Sequence, residues 1–469
     1  MTPATPSPPG APSPPLARPA PGSRTTYRSV FAVREFRVLF AAQLCYVLGF
    51  EFEILGLSVL VYAHTRSAFL TALAFSMGFA PQAIGGALFT ALADRLPPRV
   101  VIGTGLVIRA APGLAIGLWP GCPVPAMLAL VAVAATAAPV FSAATSGLLP
   151  EICDGDRYVL ARSVFSLTGS GTQIIGLGIG GAALALLPAR WLLLAAGLSL
   201  MVAAAISRFG LRPRPARAVQ ARAVQARAVQ ARAGRNRGIL RATMAGNAQL
   251  FADRQVRGLL LAQWLPAWCV TGAESLIVPY VGSLGRPASA AGPLLAAMPA
   301  GMLLGEVLVG RFVRPGARRR LALPLAAGMG VPLLALAFRL PLPLVGALLL
   351  ICGSGFAYQL GIQRAFLDSV PEGRRAQAFG LNSTGAMGGQ GLTPSAAGGL
   401  ALAVGAGPAM AIAGAAAILA ALALRGPLTG LAKHRRGGPL PGRVSAAAPP
   451  ALPGRGPQAG MARVGTGKR

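Results

Sequence analysis

The stretch LFTALADRLPPRVVIG, residues 88–103, decides how the chain is read. An apolar run stops at Asp94, with Arg95 beside it. Pro97 and Pro98 turn the chain, Arg99 follows, and a second apolar run begins. Only 12 of the 469 residues are acidic, so a carboxylate at this point marks a boundary between two apolar helices. A helix of about 20 apolar residues crosses a ~30 Å hydrocarbon core, and runs of that length recur along most of the sequence. The chain is 54% hydrophobic and 12% charged, with a mean hydropathy of +0.61, far from a soluble domain of this size. It reads as an all-α membrane protein.

Working outward from 88–103, the apolar segments fall at 38–62, 68–92, 99–119, 124–149, 160–187 and 190–208. A second set falls at 257–283, 289–312, 321–340, 342–367, 375–404 and 406–425. The expected architecture is twelve transmembrane helices in two pseudo-symmetric six-helix bundles, over 36–208 and 257–425. Residues 1–35 and 426–469 read as disordered tails. The first is rich in proline and lacks the continuous apolar core of a signal peptide. Residues 209–256 read as a basic linker.

The net charge of +31 is a topology signal. If the N-terminus is cytoplasmic, 38 of the 43 Lys and Arg lie in cytoplasmic segments. Four (Arg66, Arg190, Arg286 and Arg339) lie opposite, and Arg109 lies inside helix 3. Both termini are then cytoplasmic, in a cell membrane, and the basic face attracts anionic lipids. With no nucleic-acid fold or aromatic platform beside the arginines, nucleic acid is not an expected partner. The high Ala, Gly, Pro and Arg content suits a GC-rich bacterial source. The linker contains ARAVQARAVQARAVQARA, residues 216–233, a repeat of period five. That period spirals around a helix instead of forming a stripe, so the repeat reads either as a solvated linker or as a lipid-binding or regulatory segment. Five scattered cysteines and two isolated histidines offer no metal or disulfide pattern, and no cofactor is expected. Neither a phosphate-binding loop nor a nucleophile–base constellation is legible, so ATP-driven transport and enzyme activity are both disfavoured.

The 88–103 loop resembles the major facilitator superfamily signature G-x-x-x-D-R-x-G-R-R. Asp94, Arg95 and Arg99 match, while Thr90, Pro97 and Pro98 depart from it. The corresponding place in the second half, GEVLVGRFVRPGARRR at 305–320, keeps Arg311 and a basic cluster but has Gly310 in place of the aspartate. Helix 5 carries GLGIGG, residues 176–181, similar to the G-P-x-x-G-G signature of exporter branches, with Leu177 at the proline position. Gly176, Gly180 and Gly181, together with Gly169, Gly171 and Gly178, read as a helix-packing motif. Helix 11 has the same texture in GAMGGQGLTPSAAGG, 385–399, where Pro394 is an expected kink. With VYAHTRSAF after helix 1, the whole resembles the drug, macrolide and siderophore exporter branch over 35–425. The resemblance implies a gating role for Asp94, Arg95 and Arg99 at the cytoplasmic mouth, coupling helix 2 to helix 11. The other reading of Asp94 is an end-of-helix anchor.

Ionisable residues inside a membrane helix are functional candidates. They are Glu51, Glu53, Arg109, Glu274 and Glu306. Glu51 and Glu53 lie about 200° apart on one helix and cannot share a face. Glu53 sides with Tyr46, Gly49, Phe50 and Gly56 and is expected to face the cavity; Glu51 sides with more apolar neighbours. Arg109 needs a partner, expected to be a helix 1 glutamate. Glu274 follows Gln263 by eleven residues and Glu53 follows Gln43 by ten, which sets carboxylates at similar depth in both halves. Glu306 reads as either a functional carboxylate or a pair with Arg311. The leading expectation is a monomeric secondary transporter that exports a small amphipathic compound by proton antiport. Uptake by the same fold, a non-transporting membrane protein, and carboxylates that merely tie helices together remain open.

Overall fold

A computed structural model describes residues 27–82, 85, 96–153, 156–214, 236–371 and 374–429. Every regular element among them is helical. The first half comprises α1 (Arg34–Thr65), α2 (Ala68–Gln82), α3 (Pro98–Leu118), α4 (Val124–Ile152), α5 (Asp156–Leu186) and α6 (Ala189–Gly210). The second comprises α7 (Arg254–Glu274, then Ile277–Ser283), α8 (Ala291–Phe312), α9 (Pro315–Gly328, then Gly330–Leu334), α10 (Leu342–Ser354, then Tyr358–Ser369), α11 (Arg375–Val404) and α12 (Ala406–Ala423). Among the described residues, nine helices are long and apolar enough to cross a membrane. The other three expected positions are also helical. They are α2, α7 (interrupted after Glu274), and α11, which is rich in Gly, Ser and Thr.

The 209–256 segment differs from a plain linker. It contains a 17-residue helix, Asn236–Ala252, immediately before α7. The ARAVQ repeat at 216–233 lies outside the described residues, as do Asp94, Arg95 and most of the two tails.

In lipid the apolar exterior gives little drive for helix association, so close backbone approach through small residues does much of that work. In the first half α6 packs against both α1 and α3. A methyl group on Gly49 of α1 would lie 2.9 Å from the Ala196 carbonyl oxygen of α6; one on Gly113 of α3 would lie 2.7 Å from that of Leu193. In the second half Gly301, Gly305 and Gly353 bring α8 against α10, and Gly330 meets Gly414 between α9 and α12. The outer surface is apolar, with Leu186, Phe209 and Phe312 more than three-quarters exposed, whereas Arg109 and Glu53 are among the most buried side chains. That inversion is what a lipid-immersed bundle requires.

One end of the bundle carries the basic loops. There Arg214 forks onto Glu35 at the start of α1 (Nη1–Oε1 3.0 Å, Nη2–Oε2 2.7 Å), and the Arg212 backbone N–H donates to Glu35 Oε1 at 3.0 Å. Glu151, at the end of α4, lies 4.0 Å from Arg214 Nε. The segment leaving α6 is thus tied to α1 and α4.

Candidate functional site

Arg109 sits in the interior of α3 and meets Glu53 of α1 at 2.6 Å, Nη1 to Oε1. The two are 1% and 2% exposed, so the pair is sealed within the first half. The Phe50 ring lies under the guanidinium, 5.5 Å from its carbon, and Tyr46 stacks on Phe50 at 6.2 Å. Tyr46, Phe50 and Glu53 share one face through the i, i+4, i+7 spacing of a helix. Glu53 Oε2 and Arg109 Nε and Nη2 are buried with no hydrogen-bond partner among the described residues. The helix 1 partner expected for Arg109 is therefore present, but Glu53 does not face open space. A cation buried as deeply as Arg109 needs this carboxylate, because an uncompensated charge there costs several kcal/mol.

Glu51 points the other way. Its side chain lies against α5, where a methyl on Gly176 would fall 3.2 Å from the Glu51 Cβ. It is also within electrostatic reach of Glu274, on α7 of the opposite half. Glu51 is 5% exposed and Glu274 is half-buried. Glu53, expected to face the cavity, is instead closed in against Arg109, while Glu51 lies on the α5 side of α1.

Glu274 is the last residue of the first piece of α7. A tight turn at Ser275–Leu276 follows, with the Leu276 N–H on the Ala273 carbonyl at 3.0 Å, and the helix then restarts at Ile277. A helix end presents carbonyls with partial negative charge. Glu274 adds a carboxylate to that end. Among the described residues, no ion pair neutralises either one.

Deeper in α7 the site is aromatic and neutral. Trp264 and Trp268 stack at 5.7 Å and rest on Gly385 and Gly389 of α11. Trp264 Nε1 donates to Asn382 Oδ1 at 2.9 Å, Asn382 Nδ2 to Gln263 Oε1 at 3.1 Å, and the Tyr358 hydroxyl to the Gln263 carbonyl at 2.8 Å. Trp268 Nε1 is buried and unpaired among the described residues. Sequence reading missed these tryptophans; the four-residue spacing of Gly385 and Gly389, matched to that of Trp264 and Trp268, was the available signal.

The glycines of α5 divide in two. Gly176 and Gly180 accept α1 side chains, and Gly181 approaches α8, where a methyl would lie 2.8 Å from the Gly292 Cα. Gly169, Gly171 and Gly178 face open space, contrary to the close packing expected of all six. Pro394 lies inside a continuous α11. Glu306 is exposed on α8 and makes no ion pair with Arg311 among the described residues. Arg99 donates through Nε to the Arg208 carbonyl.

The two halves touch closely at mid-depth and toward the end remote from the basic loops. Gly181 meets Gly292, Ser76 Oγ lies 3.5 Å from Ser395 Oγ, and the Tyr62 hydroxyl donates to the Pro279 carbonyl at 3.5 Å. A methyl on Gly391 of α11 would fall 2.6 Å from the Ala80 Cα of α2.

The fold is shared with solved transporters. A bacterial homologue of the human lysosomal transporter Spinster, inward-facing and unoccupied, superposes with a TM-score of 0.58 at 17% identity, over 84% of this chain and 95% of that one. A POT family transporter in complex with 5-aminolevulinic acid gives 0.63 at 12% identity, over 85% and 97%. The nucleoside transporter NupG, in a point-mutant form, gives 0.65 at 13%, over 84% and 99%. No curated relative matches the sequence. The sequence model of the Major Facilitator Superfamily matches residues 39–366, well over half the chain, and this protein belongs to that superfamily.

Proposed function

We propose that the protein is a proton-coupled secondary transporter that exports an amphipathic organic cation from the cytoplasm, with its basic end and both termini cytoplasmic. The observation that carries this is the unequal neutralisation of the buried charges. Arg109 is taken by Glu53, which leaves Glu51 and Glu274, two intramembrane carboxylates on α1 and at the broken end of α7, with no ion pair among the described residues. Two ionised carboxylates beside a helix C-terminus in a low-dielectric interior repel strongly. Either a proton or a substrate cation relieves that repulsion. Occupancy by one disfavours the other, and this mutual exclusion is the basis of antiport. The rings of Trp264 and Trp268 supply apolar and cation–π surface for the rest of the substrate. The charged loops containing Asp94, Arg95 and Arg99 gate the cytoplasmic mouth, and the protein works as a monomer.

Purified protein in liposomes tests this. Under an imposed pH gradient, a lipophilic organic cation should be concentrated against its own gradient, with a counter-movement of protons. Glu51→Gln and Glu274→Gln keep shape but cannot exchange a proton in this pH range. Both should lose pH-driven accumulation, while Glu51→Gln retains cation counterflow at reduced affinity. Undiminished driven transport in both variants would refute the assignment.

A further inference from the structure

The contact between α3 and α6 is uneven along its length. Toward the remote end the helices touch backbone to backbone. A methyl on Gly113 would lie 2.8 Å from the Gly197 nitrogen, and one on Gly117 would lie 2.8 Å from the Leu194 Cβ. Toward the basic end they diverge and leave an outward-opening groove of about 590 Å³. Val100, Thr104, Val107 and Ile108 of α3 line it, facing Met201 and Ala205 of α6. Val100, Val107, Ile108 and Met201 are each more than a third exposed. Gly103 forms part of the lining, and a Cβ added there would meet nothing within 4 Å.

The groove ends at two arginines. Arg99 and Arg208 both line it, with Phe209 beside them. Arg99 is held in place through Nε, which donates to the Arg208 carbonyl. Its two terminal nitrogens and the exposed Arg208 guanidinium have no hydrogen-bond partner among the described residues. Among the described residues, no acidic residue lines the groove.

We infer that this groove is a binding site for one anionic phospholipid of the leaflet at the basic end, with its phosphate between Arg99 and Arg208 and one acyl chain along α3. From Arg99 to Ile108 the groove runs about 14 Å at 1.5 Å per residue, a length that suits one acyl chain. The charge favours an anion, since each arginine near an anionic headgroup is worth about fivefold in affinity. The inference needs only the membrane setting and stands apart from the direction or substrate of transport.

The test is native mass spectrometry of the full chain in detergent, with phosphatidylglycerol or phosphatidylcholine of identical acyl chains added. The wild-type protein should retain the first phosphatidylglycerol about 25-fold better than phosphatidylcholine, two arginines' worth of attraction at about fivefold each. Arg208→Gln removes an exposed side chain with no bond to the fold and should cut that preference about fivefold. Gly103→Leu grows into open space and should reduce retention of both lipids at the first site. Size-exclusion profiles without lipid report folding; if Gly103→Leu fails there, Arg208→Gln alone decides. Equal retention of the two lipids by wild type, or a preference unchanged in Arg208→Gln, would overturn the inference. So would a dimer that the variants dissolve, because the groove would then be an interface between copies.

Discussion

The two halves treat their intramembrane carboxylates differently. In the first half Glu53 is matched by Arg109 within one sealed, 2.6 Å contact. In the second half Glu274 stands at a helix break with no cation of its own among the described residues, and the polar cluster deeper in α7, Gln263, Asn382 and Tyr358, is neutral. A fold of two repeats can thus keep one half electrically self-contained and leave the other dependent on what enters. Glu51 is the exception in the first half: it lies against Gly176 of α5 and makes no ion pair among the described residues.

The hardest way to break this comparison is Arg109→Gln. It strands Glu53 in a sealed interior, and removing one partner of a buried pair costs about 3–5 kcal/mol in soluble proteins. The expected outcome is a steep loss of folded protein, measured by fluorescence-detected size exclusion and thermal stability. Adding Glu53→Gln should restore much of it, since the orphaned charge is then gone. If Arg109→Gln folds like wild type, the first half is not self-contained.

The second test acts between the halves. Gly292 lies so close to Gly181 that a methyl on either is accommodated only by moving a helix. Overpacking of this kind costs about 1–3 kcal/mol. In Gly292→Ala that cost falls on the state closed at the remote end, so a cysteine near that end should label faster. Unchanged labelling would show that the close approach does not hold the halves together.

Much of the fold was legible because apolar runs long enough to cross a membrane leave little choice but helix. The counter-ion for Arg109 was legible for a similar reason, a buried cation being intolerable alone. Which of two glutamates supplied it was not, because Glu51 and Glu53 differ only in helical face, and the partner of each face is set by tertiary packing. The break after Glu274 had a signal that the sequence reading passed over: Pro279 has no N–H for the Ser275 carbonyl four residues earlier, and its ring crowds that carbonyl. The tryptophan–glycine contacts between α7 and α11 join residues more than a hundred positions apart, so each motif reads separately as ordinary helix texture.

A smaller effect is expected at the basic end, where the halves again diverge. Arg214→Gln removes the fork onto Glu35, which is partly buried, with side-chain exposures of 23% and 11%. Hydrogen bonds to charged groups contribute about 1.5–3 kcal/mol when well shielded, and partial exposure brings the expected loss to about 1–2 kcal/mol. The readout is thermal stability at low and high salt, and the difference from wild type should shrink as salt screens the pair. A salt-independent loss would point to packing of the arginine stem instead of charge.

The smallest effect sets the counterpart in the second half. Asp253 precedes α7 much as Glu35 opens α1, but it serves its own helix. Its Oδ1 accepts the backbone N–H groups of Gln255 at 2.8 Å and Val256 at 3.0 Å. These are two of the four donors that a helix N-terminus leaves unsatisfied, and the negative charge suits the positive end of the helix. Replacing such a cap by alanine costs about 1 kcal/mol. Asp253→Asn keeps an acceptor oxygen and should recover most of that. Because the cap bonds only within α7, Asp253→Ala should raise hydrogen exchange in the first turn of α7 and leave α1 and the 211–214 segment unchanged. Arg214→Gln should do the reverse. If both variants loosen both ends equally, the carboxylates at the starts of α1 and α7 belong to one network, and the contrast between the halves fails at this end.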